Sequence, residues 1–263
     1  MDPFNQLILA ISVTSFFAFQ WLFHRVSPWT SRRITHGFLG LSDRQKVEWN
    51  SRTVSTFHAL LVGIFCLYIL FFDDAVNEDP VWGDPTLVKT NVAITTGYLI
   101  SDMLLIFYYW KAIGDKFIVV HHVAALFAYY YVLGEGLLPY FANFRMLAEF
   151  STPCVNQRWF FETLGYPKSY RPNMVNGVAM TVGFFLVRIA VMPVYYIRMY
   201  AVYGTDPYYV VSRGGRVAWI GSSICLDIMN VMWMHKIGRG CYRVMRSALQ
   251  SKAGPRQDNG KTD

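Results

Sequence analysis

Charge is scarce in this chain, and the places that lack it are informative. Of 263 residues only 16% are charged, while 54% are hydrophobic. A soluble domain usually carries about 25% charged residues. The hydrophobic residues gather in blocks of about 17–25, the length at which a helix crosses a ~30 Å hydrocarbon core. A water-soluble globule is therefore excluded. Cysteine is also sparse. Cys66, Cys154 and Cys225 fall in apolar blocks and Cys241 lies behind the last one, so no disulfide framework is implied. There is no metal-ligand spacing, no internal repeat and no separate soluble domain. The segment "DDAVNEDPVWGDPT" holds no basic residue at all.

What is present reads as an all-α integral membrane protein with seven transmembrane helices. The spans fall at about 6–23, 53–72, 88–109, 117–135, 137–160, 176–201 and 217–235, by length and apolar content. The turn around Gly134–Gly136 joins the fourth and fifth and should make them antiparallel neighbours. The first block lacks a basic leader and a small-residue cleavage site, and is expected to stay as a helix. Orientation follows the basic residues. Arg25, Arg32, Arg33, Arg44, Lys46 and Arg52 follow span one. Lys111 and Lys116 follow span three, Arg158, Lys168 and Arg171 span five, and Lys236 to Lys252 span seven. These stretches share one side if the N-terminus is luminal and the C-terminus cytosolic. Arg213 and Arg216 are the exception. The net charge of +7 then belongs to a rim facing anionic headgroups and needs no nucleic acid. Residues 246–263 read as a basic disordered tail.

Ionisable side chains inside membrane helices are rare and point to function. This chain has His58, Asp102, His121, His122, Arg145, Glu149, Arg188 and Asp227 within its spans. A rise of ~1.5 Å per residue puts His58, the histidine pair, Asp102 and Asp227 about 6–12 Å from the cytosolic ends, and Glu149, Arg188 and Arg145 at about 16–22 Å. Most of the set forms a layer in the cytosolic half, contributed by at least five helices. Packed round one axis, it would line one polar cavity open to the cytosol.

Adjacent histidines project about 100° apart on a helix, so at most one points squarely inward. The sequence does not decide which. In "NFRMLAEFSTPCVNQRWFFE", Arg145 and Glu149 are four apart and share a helical face, which predicts an ion pair. Pro153 removes a helix donor and frees the carbonyl of Glu149. In span six, Pro193 does the same beside Arg188, which is placed to neutralise Asp102, Asp227 or Glu149, or to hold an anionic headgroup. Ser223, Asp227 and Asn230 share a face of span seven. Tyr98, Asp102 and Tyr109 share one of span three, with Ser101 adjacent. Aromatics make up 17% of the chain, and interfacial belts account for most of them.

The chain resembles the TLC-domain family of membrane proteins, which includes ceramide synthases and translocon-associated membrane proteins. The resemblance covers about residues 40–245. It rests on Ser101–Asp102, on "HHVAALFAYYYVLGEG" and on "FRMLAEFSTPCVNQRWF". It implies a six-helix core round a lipid-sized cavity, with residues 1–39 adding an N-terminal helix and a cytosolic loop. It implies an endoplasmic reticulum membrane and a role in lipid metabolism and homeostasis. In ceramide synthases paired histidines and downstream acidic residues form the acyl-transfer site. Carried over, the pair is His121 and His122, and Glu149 takes the place of the first aspartate of the second motif. Ala148 and Thr152 stand where that motif has a histidine and its second aspartate.

Two readings result. The first is a protein that binds a lipid or acyl chain in the cavity and influences membrane lipid composition. The second is an acyltransferase that moves an acyl group from acyl-CoA to a lipid amine or alcohol. Its candidate catalytic residues are His121, His122, Asp102 and Glu149, with Arg145, Arg188, Asp227, Asn230 and Tyr98 binding substrate. No metal or resident cofactor is expected; acyl-CoA would be a co-substrate. The expected partners are membrane lipids, fatty acyl chains or sphingolipids, with homo- or hetero-oligomers compatible. A receptor would share the seven-span topology but lacks its luminal cysteine pair, and a transporter would need a repeat.

Overall fold

The computed structural model describes residues 2–252 and is helical throughout, with no strand among those residues. Helix α1 runs over Pro3–Ile34, with a π turn at Leu22–Val26. Helix α2 is Asp43–Phe72, α3 Thr86–Tyr108 and α4 Lys116–Glu135. The fifth stretch, α5, spans 139–163 in three pieces. Helix α6 is Arg171–Val202, with a π turn at Phe185–Ala190, and α7 is Arg213–Lys252.

Six of these, all but α5, are long and apolar enough to cross a membrane. The expected fifth span is instead a helix Pro139–Arg145, a 3-10 turn Met146–Ser151 and a helix Thr152–Thr163. Pro153 sits at the start of the last piece. A proline there has no N–H to give, so the preceding turn cannot continue as α-helix. The freed carbonyl of Glu149 accepts the backbone N–H of Thr152.

Several ends are set by local chemistry. Ser42 and Gln45 form a reciprocal capping box that starts α2 well before the apolar block. In the acidic loop, carboxylates accept backbone N–H groups: Asp73 from Val76 at 3.3 Å, Asp79 from Trp82 at 2.9 Å, and Asp84 from Thr86 at 3.0 Å. The Thr86 hydroxyl and amide hold the Asp84 carboxyl below its ordinary range. Asp115 caps α4 through the Phe117 N–H at 2.7 Å. Gly136 closes α4 in the left-handed conformation, φ 70°, where a Cβ is costly.

Burial identifies the centre. In the apolar window of α3, 61% of residues are buried, against 17% for α1 and α6. Helix α3 is therefore the inner post and α1 is peripheral. The α1–α3 contact is close because Gly97 has no side chain. A Cβ there would lie 2.4 Å from the Ser12 carbonyl oxygen. Membrane helices use small residues this way to bring backbones together. Large apolar side chains such as Leu7, Phe17, Ile64, Phe71 and Phe107 are exposed, as a lipid-facing surface requires.

The turn at Gly136 does join α4 to α5, but the two do not pack as a continuous antiparallel pair. They touch near the turn, and α4 instead lies between α3 and α7. A cavity lined by residues of both α4 and α5 opens between them. Helix α7 continues to Lys252, so the expected tail from 246 begins inside a helix. Residues 253–263 lie outside the described residues.

Candidate functional site

The position of α4 resolves the histidine question. Wedged between two helices, it uses both rings. On the α3 side, His122 Nε2–H donates to Asp102 Oδ2 at 3.0 Å, with both groups buried. His58 from α2 stacks on Tyr98 from α3, with centroids 3.8 Å apart and rings 14° from parallel. The Ser51 hydroxyl reaches Asp102 Oδ1 at 3.5 Å, and Gln20 Nε2 reaches the Ser101 hydroxyl at 3.1 Å. This side is packed, and among these residues none lines the cavity.

On the other side, His121 faces Trp233 of α7 at 5.7 Å between centroids and lines the cavity. The cavity has about 660 Å³ of space between atoms, part of it open to the outside. Glu149, Arg145, Arg188, Asn230, Thr95 and Tyr129 are in its wall. It adjoins a second compartment, with about 500 Å³ of space between atoms and likewise partly open to the outside, lined by Val132, Leu137, Leu138, Phe141, Ala142 and Trp219. The two share Ala125, Tyr129, Arg145, Tyr195 and Leu226. A chamber with charged walls thus lies next to a more apolar one.

Two arginines dominate the polar chamber. Arg145 forms a bidentate pair with Asp227: Nη1 donates to Oδ1, and Nη2 to Oδ2 at 3.0 Å. Its guanidinium also lies 3.9 Å over the Tyr195 ring. The Tyr196 hydroxyl donates to Asp227 Oδ2 at 2.7 Å. The expected Arg145–Glu149 pair is absent. A 3-10 turn has three residues per turn, so residues four apart no longer share a face, and Arg145 reaches α7 instead.

Arg188 lies in the π turn of α6. Such bulges recur at functional sites because they turn a side chain out of the regular helical array. Its Nε donates to the Ser151 hydroxyl at 2.8 Å and its Nη1 to Asn230 Oδ1 at 3.0 Å. It pairs with none of Asp102, Asp227 or Glu149. Among the described residues, the Glu149 carboxylate accepts only from the Thr152 hydroxyl, at 3.2 Å.

Of the nine candidate residues, His121, Glu149, Arg145, Arg188 and Asn230 are in the cavity wall. His122, Asp102, Tyr98 and Asp227 stand behind it. Ser223, Asp227 and Asn230 do share a face of α7, meeting Tyr195, Arg145 and Arg188 in turn. Tyr195 and Tyr196 escaped notice. The expectation of an interfacial belt absorbed them, yet Tyr195 is 2% exposed and accepts from Trp219 Nε1 at 2.9 Å. Its spacing of seven from Arg188, two helical turns, was the available signal. No cluster of His, Cys, Asp and Glu able to hold a metal occurs among the described residues.

Comparison with known proteins assigns this helical bundle to a family. Residues 48–239 match the TLC domain, and the chain belongs to the TLC-domain family. It is 64% identical to TLC domain-containing protein 4-B of Xenopus laevis and 52% identical to human TLC domain-containing protein 4, each over 100% of both chains. It is 24% identical to Topoisomerase I damage affected protein 4 of Saccharomyces cerevisiae, over 91% of this chain and 86% of that protein. No solved structure matches it.

Proposed function

We propose that this protein binds an amphipathic lipid between its helices, head in the polar chamber and chain in the apolar one, and thereby influences membrane lipid composition. The observation that carries this is the adjacency of the two compartments, which share Ala125, Tyr129, Arg145, Tyr195 and Leu226 in their walls. One chamber bears two arginines and a glutamate, and the other only hydrocarbon and aromatic walls apart from the shared residues and a few small polar ones. Ligand cavities are concave and mostly apolar, with a few placed polar groups. The setting in this reading is the endoplasmic reticulum, with the N-terminus luminal. Stretch α5 serves as a seventh crossing, since about 25 helical residues reach about 37 Å.

The test is lipid mass spectrometry on gently extracted protein. The wild type should carry a stoichiometric lipid. Ala125→Phe, which fills the neck between chambers, should lose it while keeping its elution volume. Lipid content equal in the two proteins would sink the proposal.

A second reading, acyl transfer from acyl-CoA, is favoured by one contact. Asp102 orients His122 as a carboxylate orients a catalytic imidazole. Purified protein with labelled acyl-CoA tests it, comparing wild type with His122→Ala. Transfer by the wild type alone supports it; no transfer in either returns the protein to the first reading.

A further inference from the structure

Arg188 and Glu149 belong to one cavity wall, and neither forms an ion pair with an opposite charge among the described residues. Arg188 is 8% exposed; its hydrogen-bond partners are a hydroxyl and an amide carbonyl, and the rings of Phe184 and Trp233 lie 4.9 and 5.9 Å from its guanidinium carbon. Among the described residues its Nη2 and the side-chain nitrogen of Asn230 make no hydrogen bond. Glu149 forms no ion pair. An unpaired charge in a low-dielectric interior is costly. For Arg145 the protein removes that cost with Asp227. For Arg188 no carboxylate is in contact: Glu149, in the same wall, acts on it only through space. Ser151 and Asn230 hold the guanidinium and Thr152 holds the carboxylate, so the two charges attract without closing into an ion pair.

From this separation we infer that the cavity selects a lipid with a zwitterionic head. The oxyanion of the head meets Arg188 and Asn230, and its ammonium meets Glu149. Guanidinium donors match a phosphate or carboxylate oxyanion in fixed geometry. A purely anionic head would satisfy Arg188 but face Glu149 with a like charge, which is a strong ground for rejection. A neutral head would leave both charges unpaired. This inference rests on the lipid-binding reading above and adds the class of head.

The test uses the full chain reconstituted in vesicles with equal parts phosphatidylcholine, phosphatidylethanolamine, phosphatidic acid and diacylglycerol. The protein is re-extracted and its retained lipids are quantified. Retention of phosphatidylcholine or phosphatidylethanolamine over the other two by roughly tenfold, the effect of one buried charge-assisted contact, is the expected result. Retention of phosphatidic acid or diacylglycerol above both overturns the inference. Equal retention of all four also overturns it, while leaving lipid binding intact. Retention of no lipid overturns the lipid-binding reading itself. Glu149→Gln is nearly isosteric at a partly buried position, and it should move the ratio of phosphatidic acid to zwitterionic lipid up by roughly tenfold. An unchanged ratio in a variant that elutes like the wild type also counts against the inference.

Discussion

The two arginines of the polar chamber are both enclosed by the bundle, yet they are treated differently. Arg145 has a carboxylate in bidentate contact and an aromatic ring beneath it. Arg188 also lies over aromatic rings, Phe184 and Trp233, but its hydrogen bonds go to a serine and an asparagine and no carboxylate is in contact. One is part of the framework, and its charge is neutralised by another helix. The other is held in place but not neutralised, a state that adds little to stability and leaves donors for something else. Residue type alone would not distinguish them; the partner does.

The comparison can be broken most directly at Arg145. Arg145→Leu leaves Asp227 buried without its cation and should cost about 3–5 kcal/mol of stability, read from unfolding equilibria in mixed detergent. Adding Asp227→Leu should recover most of the loss, because no lone charge then remains. A double variant as unstable as the single would show that the pair is not the brace described here. A smaller effect belongs to the packed side of α4. Asp102→Leu removes a charge-assisted hydrogen bond from His122 and should cost about 1.5–3 kcal/mol by the same measurement. The smallest change in stability is expected at Arg188. Arg188→Met should cost no more than about 1 kcal/mol, because the lost neutral hydrogen bonds are offset by removal of an unneutralised charge. The same variant should lose the bound lipid. A cost at Arg188 as large as at Arg145 would erase the distinction between framework and site.

Much of the bundle was legible in the sequence, because hydropathy and helix length report directly on a hydrocarbon slab. The depths of His121, Glu149, Arg145 and Arg188 put them in one layer, and all four line one cavity; Asn230 was found by the face it shares with Asp227. Rotation about each helix axis was not legible. His122, Asp102 and Asp227 lie in the same layer as the wall residues but behind it, and an uncertainty of one residue turns a side chain by about 100°. The Arg145–Glu149 pair failed for a related reason. The rule of four holds for an α-helix, and the chain at 146–151 is a 3-10 turn. Pro153 announced a break there but not its form. Tyr195 was hidden by composition, since a tyrosine-rich helix end looks the same whether its rings meet headgroups or a buried serine and tryptophan.

Helix α4 holds consecutive histidines against different neighbours, His122 on α3 and His121 toward α7. Neighbouring positions on a rigid rod cannot swivel separately. A turn of the whole rod that took the His121 ring out of its chamber would therefore also carry the imidazole beside it away from the carboxylate on the central post.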